Sequence, residues 1–142
     1  MAAPKHTKAR DREAQEQMVV VEWAHLQPAL VLPVMIGDYL YAVPNGGYAL
    51  GPHLAKKMKG MGLKAGVHDL VLPIPVAPYH GLYLEMKKCQ ADFHYPADIK
   101  RAHKDNQIAF GERMTLAGYC SRLAFGAGEA IEIMQEYLGH GG

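Results

Sequence analysis

Between Gly66 and Lys88 the chain carries two short, mainly apolar runs set with single charges, Asp69-Leu70-Val71-Leu72 and Leu82-Tyr83-Leu84-Glu85-Met86-Lys87. Side chains on a strand alternate faces. Leu70, Leu72 and Ile74 therefore share one face of the first run, and Leu82, Leu84 and Met86 share one face of the second. Asp69, Glu85 and Lys87 fall on the opposite side. An antiparallel register that sets Asp69 against Glu85 also sets Val71 against Tyr83 and centres the connection on Ala77. Pro75 and Pro78 flank that centre and cannot donate to a ladder, so the strands should part there.

Helical periodicity dominates before and after this hairpin. Asp11 to Leu26 is predicted as a helix, with Glu13, Glu16, Gln17 and Val20 at i, i+3, i+4 and i+7 on one face that continues through Trp23 and Ala24. Early acids also suit a helix N-terminus through its dipole. Gln27 to Gly37 is proline-punctuated and apolar and predicts a loop lying on the core, with VLPVMI as a short edge strand in the alternative. Asp38 to Pro44 predicts a first sheet strand, closed by the turn Asn45-Gly46-Gly47. Pro52 to Met61 predicts a helix with Lys56, Lys57 and Lys59 near its end. The segment from Cys89 to Lys104 is polar and reads as a long loop. Lys104 to Ala117 predicts a helix with Phe110, Met114 and Ala117 facing inward, stopped by Gly118. Tyr119 to Phe125 predicts a strand, and Gly126 to Leu138 a closing helix with Ala130, Ile131, Met134 and Leu138 on its buried stripe.

The 142 residues suit one α/β domain, a mixed sheet of about four strands flanked by helices. Residues 1–10 read as a flexible basic arm with Lys5, Lys8 and Arg10, and 11–142 as the domain. Apolar content of 49% and charged content of 20% fit a globular chain. A net charge of +1 does not advertise a polyanionic partner, so affinity for nucleic acid must come from local patches. Lys56, Lys57 and Lys64 form the densest such patch, readable as phosphate contacts or as a solvated face. No apolar run reaches the length of a membrane span. Cys89 and Cys120 show no metal-ligand spacing, which favours a reducing, cytoplasmic setting.

The chemistry concentrates in the hairpin. Residues directly opposite across two strands lie about 5 Å apart. Carboxylates that close repel each other unless one is protonated or a cation lies between them. Hard oxygen ligands of this kind suit Mg²⁺ or Mn²⁺. Lys87 adds a compact positive charge on the same face. An acid followed by Glu-x-Lys is the layout expected of metal-assisted phosphodiester hydrolysis. There a metal activates water and a lysine orients it or steadies the developing charge.

These residues resemble the PD-(D/E)xK nuclease superfamily. PNGG at Pro44 to Gly47, KGMGLKAGVHDLVLP at Lys59 to Pro73, LYLEMKK at Leu82 to Lys88, and Gln107 followed by a helix and LAGY are similar to the virus-type replication-repair nuclease (VRR-NUC) domain, small phage and prophage type. The resemblance runs from about Arg12 to Leu138. It implies a Mg²⁺- or Mn²⁺-dependent DNA endonuclease, homodimeric and directed at branched or Holliday-junction-like DNA. Asp69 and Glu85 would be metal ligands, joined by the backbone carbonyl of Met86 and by Glu13, which with Gln17 matches the family's helix-one spacing. Glu16 is the alternative acid on the same face. Lys87 and Gln107 complete the implied catalytic set. The Asn45-Gly46-Gly47 turn would lie beside the DNA, although Tyr48-Ala49-Leu50 stand where the family carries a basic residue. His68 stands where the family carries proline, readable as a surface residue or a substrate contact. A non-cleaving nucleic-acid-binding module on the same fold is the alternative, and a structural salt-bridge cluster is the third reading.

Overall fold

Leu70–Leu72 forms β2 and Leu82–Lys87 forms β3, paired antiparallel with Leu70 opposite Leu84, Val71 opposite Tyr83 and Leu72 opposite Leu82. That is the expected register. The computed structural model describes residues 5–44 and 51–139, and of residues 5–10 the backbone alone. A two-residue strand β1, Tyr41–Ala42, pairs antiparallel with β2, and β4, Cys120–Phe125, runs parallel to β3. The result is a mixed four-stranded sheet in the order β1-β2-β3-β4. The predicted first strand was longer, Asp38 to Pro44. Its start is instead a 3-10 turn, Ile36–Asp38, in which the Asp38 carboxylate accepts the Met35 N–H at 3.0 Å.

One face of the sheet forms the main core. Leu70, Leu72, Ile74, Leu82, Leu84 and Met86 are all buried there, as the alternation requires. Helix α1, Lys5–His25, lays Val20 and Ala24 onto this face, and the last helix, Ala127–Leu138, adds Ala130, Ile133 and Met134. Burying six large aliphatic side chains contributes on the order of 10 kcal/mol of hydrophobic driving force before entropy is subtracted. Helix α1 begins at Lys5, inside the segment expected to be a mobile arm. Gln27 to Met35 is a loop, closed by an isolated bridge between Pro28 and Met35.

Helix α2, Pro52–Gly60, matches expectation and buries none of its residues. The segment after β3 differs from the predicted loop. It contains a 3-10 turn, Gln90–Asp92, and a helix α3, Pro96–Ala102. Pro96 occupies the first helical turn, where its missing N–H costs nothing, after an extended Tyr95. Helix α4, Asp105–Leu116, covers the second face of the sheet through Phe110, which stacks edge-on against Tyr83 at 5.3 Å between centroids. Met114 is only half-buried and Ala117 is exposed. The inward stripe expected of this helix is therefore one residue deep. The closing helix, Ala127–Leu138, is α5, and Ile131 on it is only half-buried.

Candidate active site

Strand β2 stops pairing at Leu70, and the next residue towards the N-terminus is Asp69. Two bonds hold it. Its backbone carbonyl accepts the Val43 N–H just beyond β1 at 2.8 Å, and its Oδ2 accepts the Met86 N–H of β3 at 2.8 Å. The side chain thus continues the ladder that the backbone has left. Glu85 and Lys87 point to the same side of β3, and Lys87 Nζ lies 3.5 Å from Glu85 Oε1.

This acid-lysine group is shielded from solvent. Glu85 is 2% exposed and Lys87 6%. Burial pushes the Glu85 carboxyl up to about 8, the neighbouring Asp69 adds to the rise, and Lys87 opposes it. Burial also raises Asp69, against the Met86 hydrogen bond, Lys87 and a hydrogen bond with the Glu85 carboxyl. Glu85 Oε2 is buried with no donor facing it when both acids are ionised. Leaving such an oxygen unsatisfied costs about 1–3 kcal/mol. Two raised carboxylates and an orphaned oxygen form a hard-oxygen donor set that one cation would satisfy. The residues therefore fit a divalent metal of the Mg²⁺ or Mn²⁺ class.

The two candidate acids of α1 separate. Glu13 stands close enough to Glu85 for its charge to raise that carboxyl further. Glu16 is committed elsewhere. Its Oε2 accepts the Ala127 N–H at 2.6 Å, at the first turn of α5, and its Oε1 accepts the Cys89 thiol at 3.2 Å. Glu16 is a cap for α5. With Cys89 and Asp92 it forms a second group whose ligand atoms lie within 4.8 Å of one another.

Gln107 sits at the start of α4, and its Oε1 accepts the Lys104 N–H at 3.0 Å. The helix start itself lies beside the approach to Asp69. Gly66 has φ +87°, and a Cβ there would collide with the Asn106 carbonyl and stand 3.1 Å from the Gln107 nitrogen. Lys56, Lys57 and Lys64 are all exposed, on α2 and on the connection into the acid strand. Asn45, Gly46 and Gly47 lie outside the described residues.

His68 is neither a surface residue nor open to a substrate. It is 1% exposed, with its ring against Phe110 and Tyr83 and Nε2 3.4 Å from Ser121 Oγ. Burial, then His103 and Lys87, bring its pKa down to about 4, so it is neutral at ordinary pH. Strict alternation would have put His68 on the face of Leu70. The chain bends at Asp69, before β2 begins, and turns His68 under α4 instead. Composition and spacing carry no signal for that bend. His103 and Ser121, which flank His68, were likewise not legible as members of this face.

The sequence matches no family model and no curated protein. Among solved structures, one described as a VRR_NUC domain protein superposes with a TM-score of 0.71 at 29% sequence identity, over 89% of this chain and 88% of that one.

Proposed function

We propose that this chain, similar over 89% of its length to a solved VRR_NUC domain protein, is a nuclease of that type and a metal-dependent DNA endonuclease with its centre at Asp69, Glu85 and Lys87. The observation that carries the reading is the buried Glu85 carboxylate, with one oxygen beside Lys87 and the other without a partner. A purely structural ion pair satisfies its oxygens, and a DNA-binding module gains nothing from two buried acids facing a polyanion.

Asp69 and Glu85 would hold the metal, Mg²⁺ or Mn²⁺, with Glu13 behind Glu85. The carbonyl of Met86 would be a further ligand, on the strand residue whose N–H fixes Asp69. When bound, the metal supplies Lewis acidity towards a phosphate oxygen and a lowered pKa for water. The protein's own groups do the rest. The Met86 N–H holds Asp69 in place. Lys87, paired with the Glu85 carboxylate, orients the attacking water or balances charge on the phosphate. Gln107 would steady the site from the start of α4. Lys56, Lys57, Lys64 and the Asn45-Gly46-Gly47 turn would contact the DNA backbone, which positions a duplex without reading its sequence. A homodimer would present two centres to two strands of branched DNA. A reducing cytoplasm of a phage-infected or prophage-carrying cell fits the two unpaired cysteines. Among the described residues no helix is long and apolar enough to cross a membrane.

The test is cleavage of a labelled four-way junction and a matched linear duplex in Mg²⁺, in Mn²⁺ and in EDTA. Cutting with metal, abolished by EDTA, with preference for the junction, is expected. DNA binding without cutting in either metal would favour the non-cleaving module instead.

A further inference from the structure

A second feature shares the face that carries Glu85 and Lys87. Between α4 and β4 lies a cavity of about 490 Å³, walled by His103, Ile108, Gly111, Thr115, Leu116 and Ser121, with Glu112 at its lip. Ser121 is the β4 partner of Tyr83, and Leu123 and Phe125 further along β4 are the partners of Glu85 and Lys87. At roughly 3.3 Å per residue, the floor of the cavity lies about 7 Å along the strands from the Glu85 row. Burial, and after it the Lys87 ammonium, depress the imidazole of His103 on its wall.

Lys100 and Arg101, in the last turn of α3, and Lys104 are exposed and bracket His103 within four positions of it. The cavity itself is apolar, with Ile108 and an 89% exposed Leu116 at its mouth. Thr115 turns its hydroxyl away, donating it to the Gly111 carbonyl at 2.8 Å. An apolar slot fringed by cations complements a chain of phosphates carrying flat, apolar-faced groups with polar edges. Single-stranded nucleic acid has that chemistry. Gly111 lets α4 pack closely on β4 at one end of the slot, because a Cβ there would stand 2.8 Å from Ser121 Oγ.

We propose that this cavity receives an unstacked nucleobase of the DNA strand being cut, one or a few nucleotides from the scissile phosphate, while Lys100, Arg101 and Lys104 hold the flanking phosphates. Glu112 and Ser121 would meet the polar edge of the base. The assignment rests on the nuclease reading and deepens it, since it demands a locally unpaired strand. Branch points and flaps supply one and continuous duplex does not.

The experiment pairs Leu116→Ser with a junction substrate carrying an abasic analogue at each of three positions on either side of the cut, read as kcat/KM. Leu116 is exposed, so its loss leaves the fold intact. In the wild type, one abasic position should lower kcat/KM about tenfold, the scale of a single base contact. Leu116→Ser should lose a similar factor on intact DNA and nothing more at that one position. Penalties that multiply at every position overturn the base assignment while leaving the nuclease reading standing. Sedimentation of both proteins at one concentration identifies the competing occupant. A dimer that Leu116→Ser converts to monomer means that a second copy of the chain covers the cavity, and the base assignment fails. A wild type that cuts no substrate overturns the nuclease reading and this assignment together.

Discussion

Glu85 is the residue on which the proposed site turns, because its burial raises a carboxyl that holding a metal would need ionised. Its folded value of about 8 stands above an ordinary 4.5, so the folded state binds the proton more tightly than the unfolded chain. The stabilisation from that proton is complete below about 4.5 and is lost as pH rises towards 8. At about 1.4 kcal/mol per pH unit, the loss is on the order of a few kcal/mol. Asp69 is raised in the same direction, so the two acids titrate as a pair. In EDTA, thermal unfolding should therefore move to lower temperature between pH 5 and pH 8 (roughly the window of the shift). Glu85→Gln, which keeps the shape and removes the charge, should flatten that slope and unfold higher at pH 8. A mutant with the wild-type slope would show that Glu85 is not the group under strain. The acids of α1 make a second residue-scale test. Glu16→Gln should cost about 1 kcal/mol of stability through the lost cap of α5, with cleavage largely kept. Glu13→Gln should do the reverse, losing cleavage at least tenfold with little change in melting. The opposite assignment in a paired melting and cleavage assay would return the site to Glu16. Period alone could not choose between the two acids, because both lie on the inward face of one helix. The contact with Ala127, 111 residues away, gives Glu16 a structural partner and leaves Glu13 as the proposed site acid.

Secondary elements were legible wherever one local pattern ruled. The hairpin register followed from alternation and from the prolines at its turn, and α5 followed from 3.6-residue periodicity. Helix α3 was missed because PADIKRA is short and polar and buries none of its residues, so periodicity had nothing to register. β1 was overdrawn because Asp38 bonds back to Met35, a local alternative to the strand. How α4 docks was not legible either, since it depends on Gly66 and Gly111, whose missing side chains admit the neighbouring backbone and Ser121. Gly66→Ala combines a left-handed φ with a clash against the Asn106 carbonyl, and should cost at least about 1–3 kcal/mol. Because Gly66 precedes Asp69 by three residues, the same change should depress cleavage more than a loss of equal stability made in α5. Equal cleavage at matched fractions folded would separate the α4 contact from the site.

At the scale of the molecule, a net charge of +1 coexists with a local cationic surface. Lys56, Lys57 and Lys64 are exposed on α2 and the connection into β2, and Lys100, Arg101 and Lys104 are exposed around the end of α3. Binding to DNA should weaken with salt according to the number of phosphates neutralised rather than the total charge. Replacing Lys56, Lys57 and Lys64 by Gln should lower the slope of log K against log salt by about 2–3, with no change in the metal requirement. An unchanged slope, measured by anisotropy over a salt series, would take those lysines off the DNA. The fold positions everything else around one hairpin: core on one face, two acids and a lysine on the other, and α4 closing over them. The most direct measurement is single-turnover cleavage by Lys87→Ala and by wild type at saturating Mg²⁺, with DNA binding and melting followed on the same preparations. A folded mutant that binds DNA as the wild type does and cuts at least a hundredfold more slowly is expected, the scale of a lost transition-state donor. A folded mutant that cuts at the wild-type rate would contradict the assignment of this cluster as the nuclease centre.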